Sequence, residues 1–383
     1  MNGLIYADNA ATTKLDIDAF EAMKPYLLED YGNPSQPYFF SKKTKVALKQ
    51  AREIIADCIN AEPEQIIFTS GGTESDNWVI KEFGFPTDVK TIITSAIEHH
   101  AILRACQYMK DAGRASVIIL PVNREGILSE CDLEEAIKYK GELVASCSSK
   151  LVSVMMANNE IGTVQDIKKL CELSHKHGAA FHTDAVQAIG HIPVDVKDLD
   201  VDYLSASAHK FNGPRGIGFL YSKGENLLSE YHSGGSQEFG KRAGTEDVAS
   251  IVGMAVALQK NNKTMKEEGK RLLELEGILI EGLKQNGIDF IRNGAPNHLP
   301  GNVNLSFKNS DGEMLLHRLD LMKICVSTGS ACDSVNTQIS HVINAICVPK
   351  EYAQGTIRIS LGKDNTEEDV NRIVIALNKI LMQ

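Results

Sequence analysis

The most constraining feature of this chain is a series of short, almost uninterrupted apolar runs set between helical patterns. QIIFTS, VKTIITS, SVIILPV, LVSVMMA, AAFHTD, DYLSASA and GIGFLYS follow one another between residues 65 and 222. A strand with one face in water alternates polar and apolar residues; a strand covered on both faces does not. The runs therefore predict a mostly parallel sheet with helices on both sides, an α/β fold. Helical spacing of Val46, Ala47, Ile54, Ile55 and Cys58 predicts one such helix over Ser41 to Asn60. SGGTESDNWVIKEF and EHHAILRACQYMK predict two more, each directly after a strand.

After about residue 250 the pattern changes. Two helical stretches are expected over 246–286, with Lys263, Lys266, Glu267, Glu268, Lys270 and Arg271 as a solvated face. Shorter strands follow at DFIRN, NVNLSF, KICVST and TIRISLG, and a last helix opens with the capping pair Thr366 and Asp369. This reads as a smaller α+β unit joined to the α/β core.

Composition narrows the classes of function. With 40 Lys+Arg against 50 Asp+Glu the net charge is −10, which argues against direct nucleic-acid binding. No stretch approaches the ~20 apolar residues of a membrane span, and MNGLIYADNAATT lacks a signal-peptide pattern. Eight cysteines without a C-x-x-C pair resemble neither a disulfide scaffold nor a zinc ribbon, so a cytoplasmic enzyme without a metal is expected.

Ligands gather at the carboxyl ends of strands in parallel α/β sheets. QIIFTS is followed by Gly71-Gly72-Thr73 at a helix start, which can cradle a phosphate but matches no nucleotide motif. AAFHTD ends in Asp184, with Gln187 beyond it, and DYLSASA runs into Ser207, His209 and Lys210. An Asp and a Lys at neighbouring strand ends suit pyridoxal 5'-phosphate: the amine attaches the aldehyde and the carboxylate keeps the ring nitrogen protonated. His99, after VKTIITS, can stack on such a ring and handle protons. Arg358 in TIRISLG can fork onto a substrate carboxylate. Cys332 lies among the small residues Gly329, Ser330 and Ala331 and is a candidate nucleophile, whereas Cys58, Cys106 and Cys325 fit structural positions. Taken singly, the glycine turn, Asp184 and Lys210 read more readily as a turn, a cap and a surface cation. Taken together they fit one cofactor.

The motifs YADNAATT, YGNPS, IIFTSGGTESDN, EHHAIL, ANNEIGTVQDI, HTDAVQ, SASAHKFNGPRGIGFLY, KRAGTEDVASIVG and VSTGSACDS extend this over nearly the whole chain. In content and order they resemble the NifS/IscS-like cysteine desulfurases of the class V aminotransferase group. The resemblance implies a fold-type-I homodimer that takes L-cysteine and passes its sulfur to an acceptor protein, an iron–sulfur scaffold or a thiolation enzyme. It implies a large cofactor-binding domain over 14–255, and a small domain from 1–13 and 256–383 that carries the Cys332 loop. Lys210 matches the Schiff-base lysine, Asp184 the partner of the ring nitrogen, Gln187 that of the ring hydroxyl, and His99 the stacking and proton-transfer residue. Gly72, Thr73, Ser207 and His209 match phosphate contacts, and Thr245 the contact delivered from the second subunit. Asn159 matches a cofactor and substrate contact, Arg358 the carboxylate clamp with Asn33 as helper, and Cys332 the sulfur-accepting thiol. Gln36 to Phe40, Ser236 and Asp247 depart from the family's usual residues. A selenocysteine lyase or an aminotransferase on the same scaffold, and a silent scaffold that only binds a sulfur-accepting partner, are the competing expectations.

Overall fold

The computed structural model describes residues 3–83, 90–139, 149–224, 228–328 and 339–382. Its strands are β1 (Ile5–Tyr6), β2 (Ile66–Thr69), β3 (Lys90–Ser95), β4 (Ala115–Leu120), β5 (Lys150–Ser153), β6 (Ala180–Asp184), β7 (Tyr203–Ser207), β8 (Gly218–Ser222), β9 (Phe290–Asn293), β10 (Asn302–Phe307), β11 (Ile324–Cys325) and β12 (Thr356–Ser360). Among the described residues, seven form one sheet in the order β2-β8-β7-β6-β5-β3-β4. All run the same way except β8, which is antiparallel to both β2 and β7. The apolar runs thus became a mostly parallel sheet, because strands such as Ile66–Thr69 and Tyr203–Ser207 are buried along their whole length.

The C-terminal third folds around a second, smaller sheet. There β10 lies between β9 and β12 with antiparallel pairing, while the N-terminal β1 pairs in parallel with β11. Ile5 and Ala7 accordingly pack in the same apolar cluster as Leu305, Ile357 and Leu377. The strand expected in KICVST is limited to Ile324–Cys325. The final helix, Glu367–Leu381, carries the expected cap: Thr366 accepts from the Asp369 N–H, and the Asp369 side chain accepts from that of Thr366.

One expectation is corrected. Residues 246–286 form not two helices but one continuous helix of 38 residues, Val248–Gln285. Its first turns, with Ile251, Met254 and Leu258, pack on the large sheet's core; its last turns, with Leu275, Leu279 and Leu283, pack in the second cluster. The charged stretch between them looks like a break in sequence, yet it is a solvated helical bridge between two cores. Val46 is also not core: it is exposed on the helix Lys42–Cys58, whose buried face uses Thr44, Ala47, Ala51 and Ile55. No described helix is long and apolar enough to cross a membrane.

Candidate active site

Strands β2, β3, β5, β6 and β7 present their carboxyl ends along one edge of the sheet. Gly72 and Thr73 open the helix after β2, His99 precedes the helix after β3, and Asn159 lies beyond β5. Asp184 ends β6, and Ser207 ends β7 just before a 3-10 turn formed by Ala208–Lys210. These residues, with Gln187, His209 and Arg358 from β12, line one cavity of about 270 Å³. Asn33 and Thr245 do not line it. The Asn33 side chain accepts from the Ser35 N–H in its own loop, and Thr245 is exposed ahead of the long helix. Cys332 lies outside the described residues.

The turn after β2 is built for close approach. Gly71 adopts φ +147°, and a Cβ on Gly72 would come within 2.4 Å of Val186 Cγ2. The eleven-residue helix that starts at Gly72 directs its free N–H groups at the same place, and Ser207 Oγ would stand 3.3 Å from a Cβ on Gly71. A helix start with hydroxyls around it is an anion cradle.

At Asp184 the environment is buried and crowded with acids. Its carboxylate accepts from the Val186 N–H at 2.9 Å, and burial raises its pKa to about 6 against the lowering effects of that bond and of Lys210. His182, on the same face of β6, bridges Ser153 Oγ at 2.9 Å and Ser205 Oγ at 3.0 Å. Asp76 Oδ1 lies 3.7 Å from the His182 Nε2 and has no hydrogen-bond partner. Burial, then the charge of Asp184, push Asp76 well above the usual carboxylate range. Both carboxyls are thus pushed toward the neutral form, Asp76 the more strongly.

His99 caps its helix by accepting the Ala101 N–H on Nδ1 at 3.1 Å, which leaves the ring proton on Nε2. Burial first, then Lys210 and His341, lower its pKa to about 4, so the ring is neutral at working pH. Lys210 Nζ donates to the carbonyls of Ala10 and Ala11 at 2.7 and 2.8 Å. Gln187 Nε2 donates to Ala10 as well, at 2.9 Å. Arg358, only 4% exposed, donates from Nη2 to Asp8 at 2.6 Å and from Nη1 to the Asn159 carbonyl at 2.8 Å; its buried Nε has no partner.

Sequence reasoning missed Asp8, Asp76 and the Ala10–Ala11 carbonyls. Asp76 was visible as the residue one helical turn past Gly72, and Asp8 as the acid of YADNAATT. The backbone carbonyls carry no sequence signal.

Anion donors at one end, a buried carboxylate and an amine within the same cavity, and a guanidinium with an unsatisfied N–H define an enzyme site. It fits a phosphorylated aromatic aldehyde with a ring nitrogen, acting on a substrate that bears a carboxylate. The class-V aminotransferase family matches residues 5–373, and the chain belongs to it; that family is generally pyridoxal-phosphate-dependent. The chain is 46% identical over its full length to the cysteine desulfurase IscS of Clostridium botulinum, covering 96% of that protein. It is 38% identical to the cysteine desulfurase NifS of Azotobacter vinelandii, over 99% of this chain and 93% of that one. A solved NifS-like protein superposes with TM-score 0.90 at 36% identity, covering 99% of both chains. A structure described as SspA in complex with cysteine gives TM-score 0.80 at 34% identity, over 93% of this chain and 98% of that one.

Proposed function

We propose that this chain is a cysteine desulfurase that takes sulfur from L-cysteine, releases L-alanine and holds the sulfur as a persulfide on Cys332. The observation that carries the reading is the convergence of Lys210, Asp184, His99 and Arg358 on one cavity beside the Gly72 cradle, in a chain whose relatives are cysteine desulfurases. Gly72, Thr73, Ser207 and His209 would hold the phosphate of pyridoxal 5'-phosphate, and Asp184 and Gln187 its ring. Thr245 would complete the phosphate site of the other subunit in a homodimer, with residues 14–255 as the cofactor-binding domain. When bound, the cofactor supplies the sink for the electrons released at the substrate.

The chain's own residues do the rest. Arg358, which lines the cavity, would take the substrate carboxylate, with Asn159 as a second contact and Asn33 as helper. Lys210 attaches the cofactor, and once released its amine moves the proton at the substrate Cα. His99, neutral with its proton on Nε2, is positioned to hold or hand over that proton. The Cys332 thiolate attacks the substrate sulfur: an S–S bond forms as the C–S bond breaks, and the carbon keeps the electron pair, takes a proton and leaves as alanine. The persulfide then serves an iron–sulfur scaffold or a thiolation enzyme.

Incubating the purified protein with L-cysteine and a dithiol reductant, which releases the persulfide sulfur as sulfide, should yield alanine and sulfide in equal amounts. Cys332→Ser should keep the cofactor and release almost no sulfide, because a hydroxyl is a poor nucleophile toward sulfur. Peptide mass spectrometry should place the extra sulfur on the Cys332 peptide. A keto acid product points instead to an aminotransferase, turnover of selenocysteine alone to a lyase, and a persulfide on another thiol overturns the role of Cys332.

A further inference from the structure

Arg358 is almost fully buried, and its cation is balanced from one side. Asp8 Oδ1 accepts from Nη2 at 2.6 Å, with the Asp8 side chain 19% exposed and that of Arg358 5%. The backbone makes this contact rigid. Asp8 is paired in parallel with Ser360, two residues beyond Arg358 on β12, and Ser360 N–H donates to the Ala7 carbonyl at 2.8 Å. Residues two apart on a strand share a face, so the Asp8 carboxylate is pinned to the strand that carries the guanidinium. The other acid near Arg358, Glu160, is engaged by the Ser340 hydroxyl at 2.6 Å. With Asp8 on Nη2 and Asn159 on Nη1, the planar group cannot turn about Cδ–Nε without breaking two bonds. Of its five N–H groups, the two aimed at Asp8 and Asn159 are engaged, and those two bonds fix the direction of the other three.

We infer that Asp8 is a positioning residue for substrate: it locks the plane of Arg358, which lines the cavity, so that the remaining N–H groups of a fixed rather than freely turning guanidinium meet the amino-acid carboxylate. This rests on the reading of Arg358 as the carboxylate clamp. Without Asp8 the cation loses its counter-charge in a buried place and its fixed orientation, both of which weaken a charge-assisted fork. The carboxylate of the ligand, and nothing else about it, should sense the change.

The test compares L-cysteine, L-alanine and cysteamine, the last being cysteine without its carboxylate, on cofactor-loaded wild type, Asp8→Asn, Arg358→Gln and the double variant. Asp8→Asn should raise the KM for cysteine and the Kd for alanine roughly tenfold. It should shift kcat much less and leave cysteamine binding within about twofold. The double variant should bind cysteine no worse than Arg358→Gln alone. Asp8→Glu should recover part of the loss. Cysteamine weakened as much as cysteine, tighter cysteine binding in Asp8→Asn, or full additivity overturns the role of Asp8. If Arg358→Gln leaves cysteine and alanine binding unchanged, it is the clamp reading that fails. Melting and cofactor titration of each variant separate both outcomes from a damaged fold.

Discussion

Lys210 and Glu98 show how its surroundings set what a single residue does in this protein. Lys210 Nζ donates to the Ala10 and Ala11 carbonyls, and its charge acts on Asp184 in the same cavity. Lys210→Ala should abolish the visible absorbance of covalently attached cofactor and turnover with cysteine, while noncovalent cofactor is still retained. An unchanged spectrum in that variant would sink the assignment. Glu98 is fully buried beneath the site; it accepts from Ser95 Oγ at 2.5 Å and from the Met155 N–H at 3.0 Å, and burial raises its pKa from 4.5 to about 8. A carboxyl with a raised folded pKa is held neutral against the unfolded chain's preference. Its contribution is therefore intact below about 4.5 and lost as pH climbs toward about 8. The urea midpoint of wild type should thus fall relative to that of Glu98→Gln across this window and run parallel above it. Parallel curves throughout would mean that Glu98 is ionised in the fold.

At the scale of elements, the strand-to-helix turn after β2 carries the most function per residue. Its two glycines were readable in the sequence as a phosphate cradle or as a plain turn. What decides between them is Val186, which comes from the segment after β6 and leaves no room for a Cβ on Gly72. Gly72→Ala should push Val186 into the cavity it lines, and overpacking of this kind costs about 1–3 kcal/mol. Cofactor affinity, read by titration of the apoprotein, should fall roughly tenfold or more. The melting temperature of the apoprotein should fall as well, by the few degrees that displacing Val186 costs. Equal affinity in the two proteins would remove the cradle from the phosphate site. The long helix Val248–Gln285 shows the opposite case. Local pattern split it in two, since periodicity records which face is buried and is silent where the helix crosses solvent between cores.

Across the whole molecule, the cavity is a junction. Lys210 and Asp184 come from the large sheet, Arg358 from the small one, and the segment Asp8–Ala11 braces both through Arg358 and Lys210. Outside the residues that line it, one stretch is apolar at the surface: Tyr38, Phe39 and Phe40 are 52%, 91% and 42% exposed. Apolar surface of this kind is normally covered by a partner. With Thr245 exposed and away from its own cavity, a second copy of the chain is the expected cover. Sedimentation should find a dimer, and dilution below its dissociation constant should release cofactor, by mass action. Thr245→Ala should weaken cofactor binding without dissolving the dimer. A monomer that is fully active and fully loaded would exclude this arrangement.

By itself the sequence determined the parallel α/β core, the capped last helix and the strand-end residues Gly72, His99, Asp184, Ser207 and Lys210. Each of those depends on neighbours within a few positions: the burial of a strand, the geometry of a turn, the residue next to a strand end. Only the tertiary structure decided that Asp76 and Asp184 share one buried place that disfavours their charge, that Lys210 leans on Ala10 and Ala11, and that Arg358 faces Asp8 from 350 positions away. Charge state and aim depend on what surrounds a group in three dimensions, because desolvation and ion pairing act over distances in space that the order of residues does not encode.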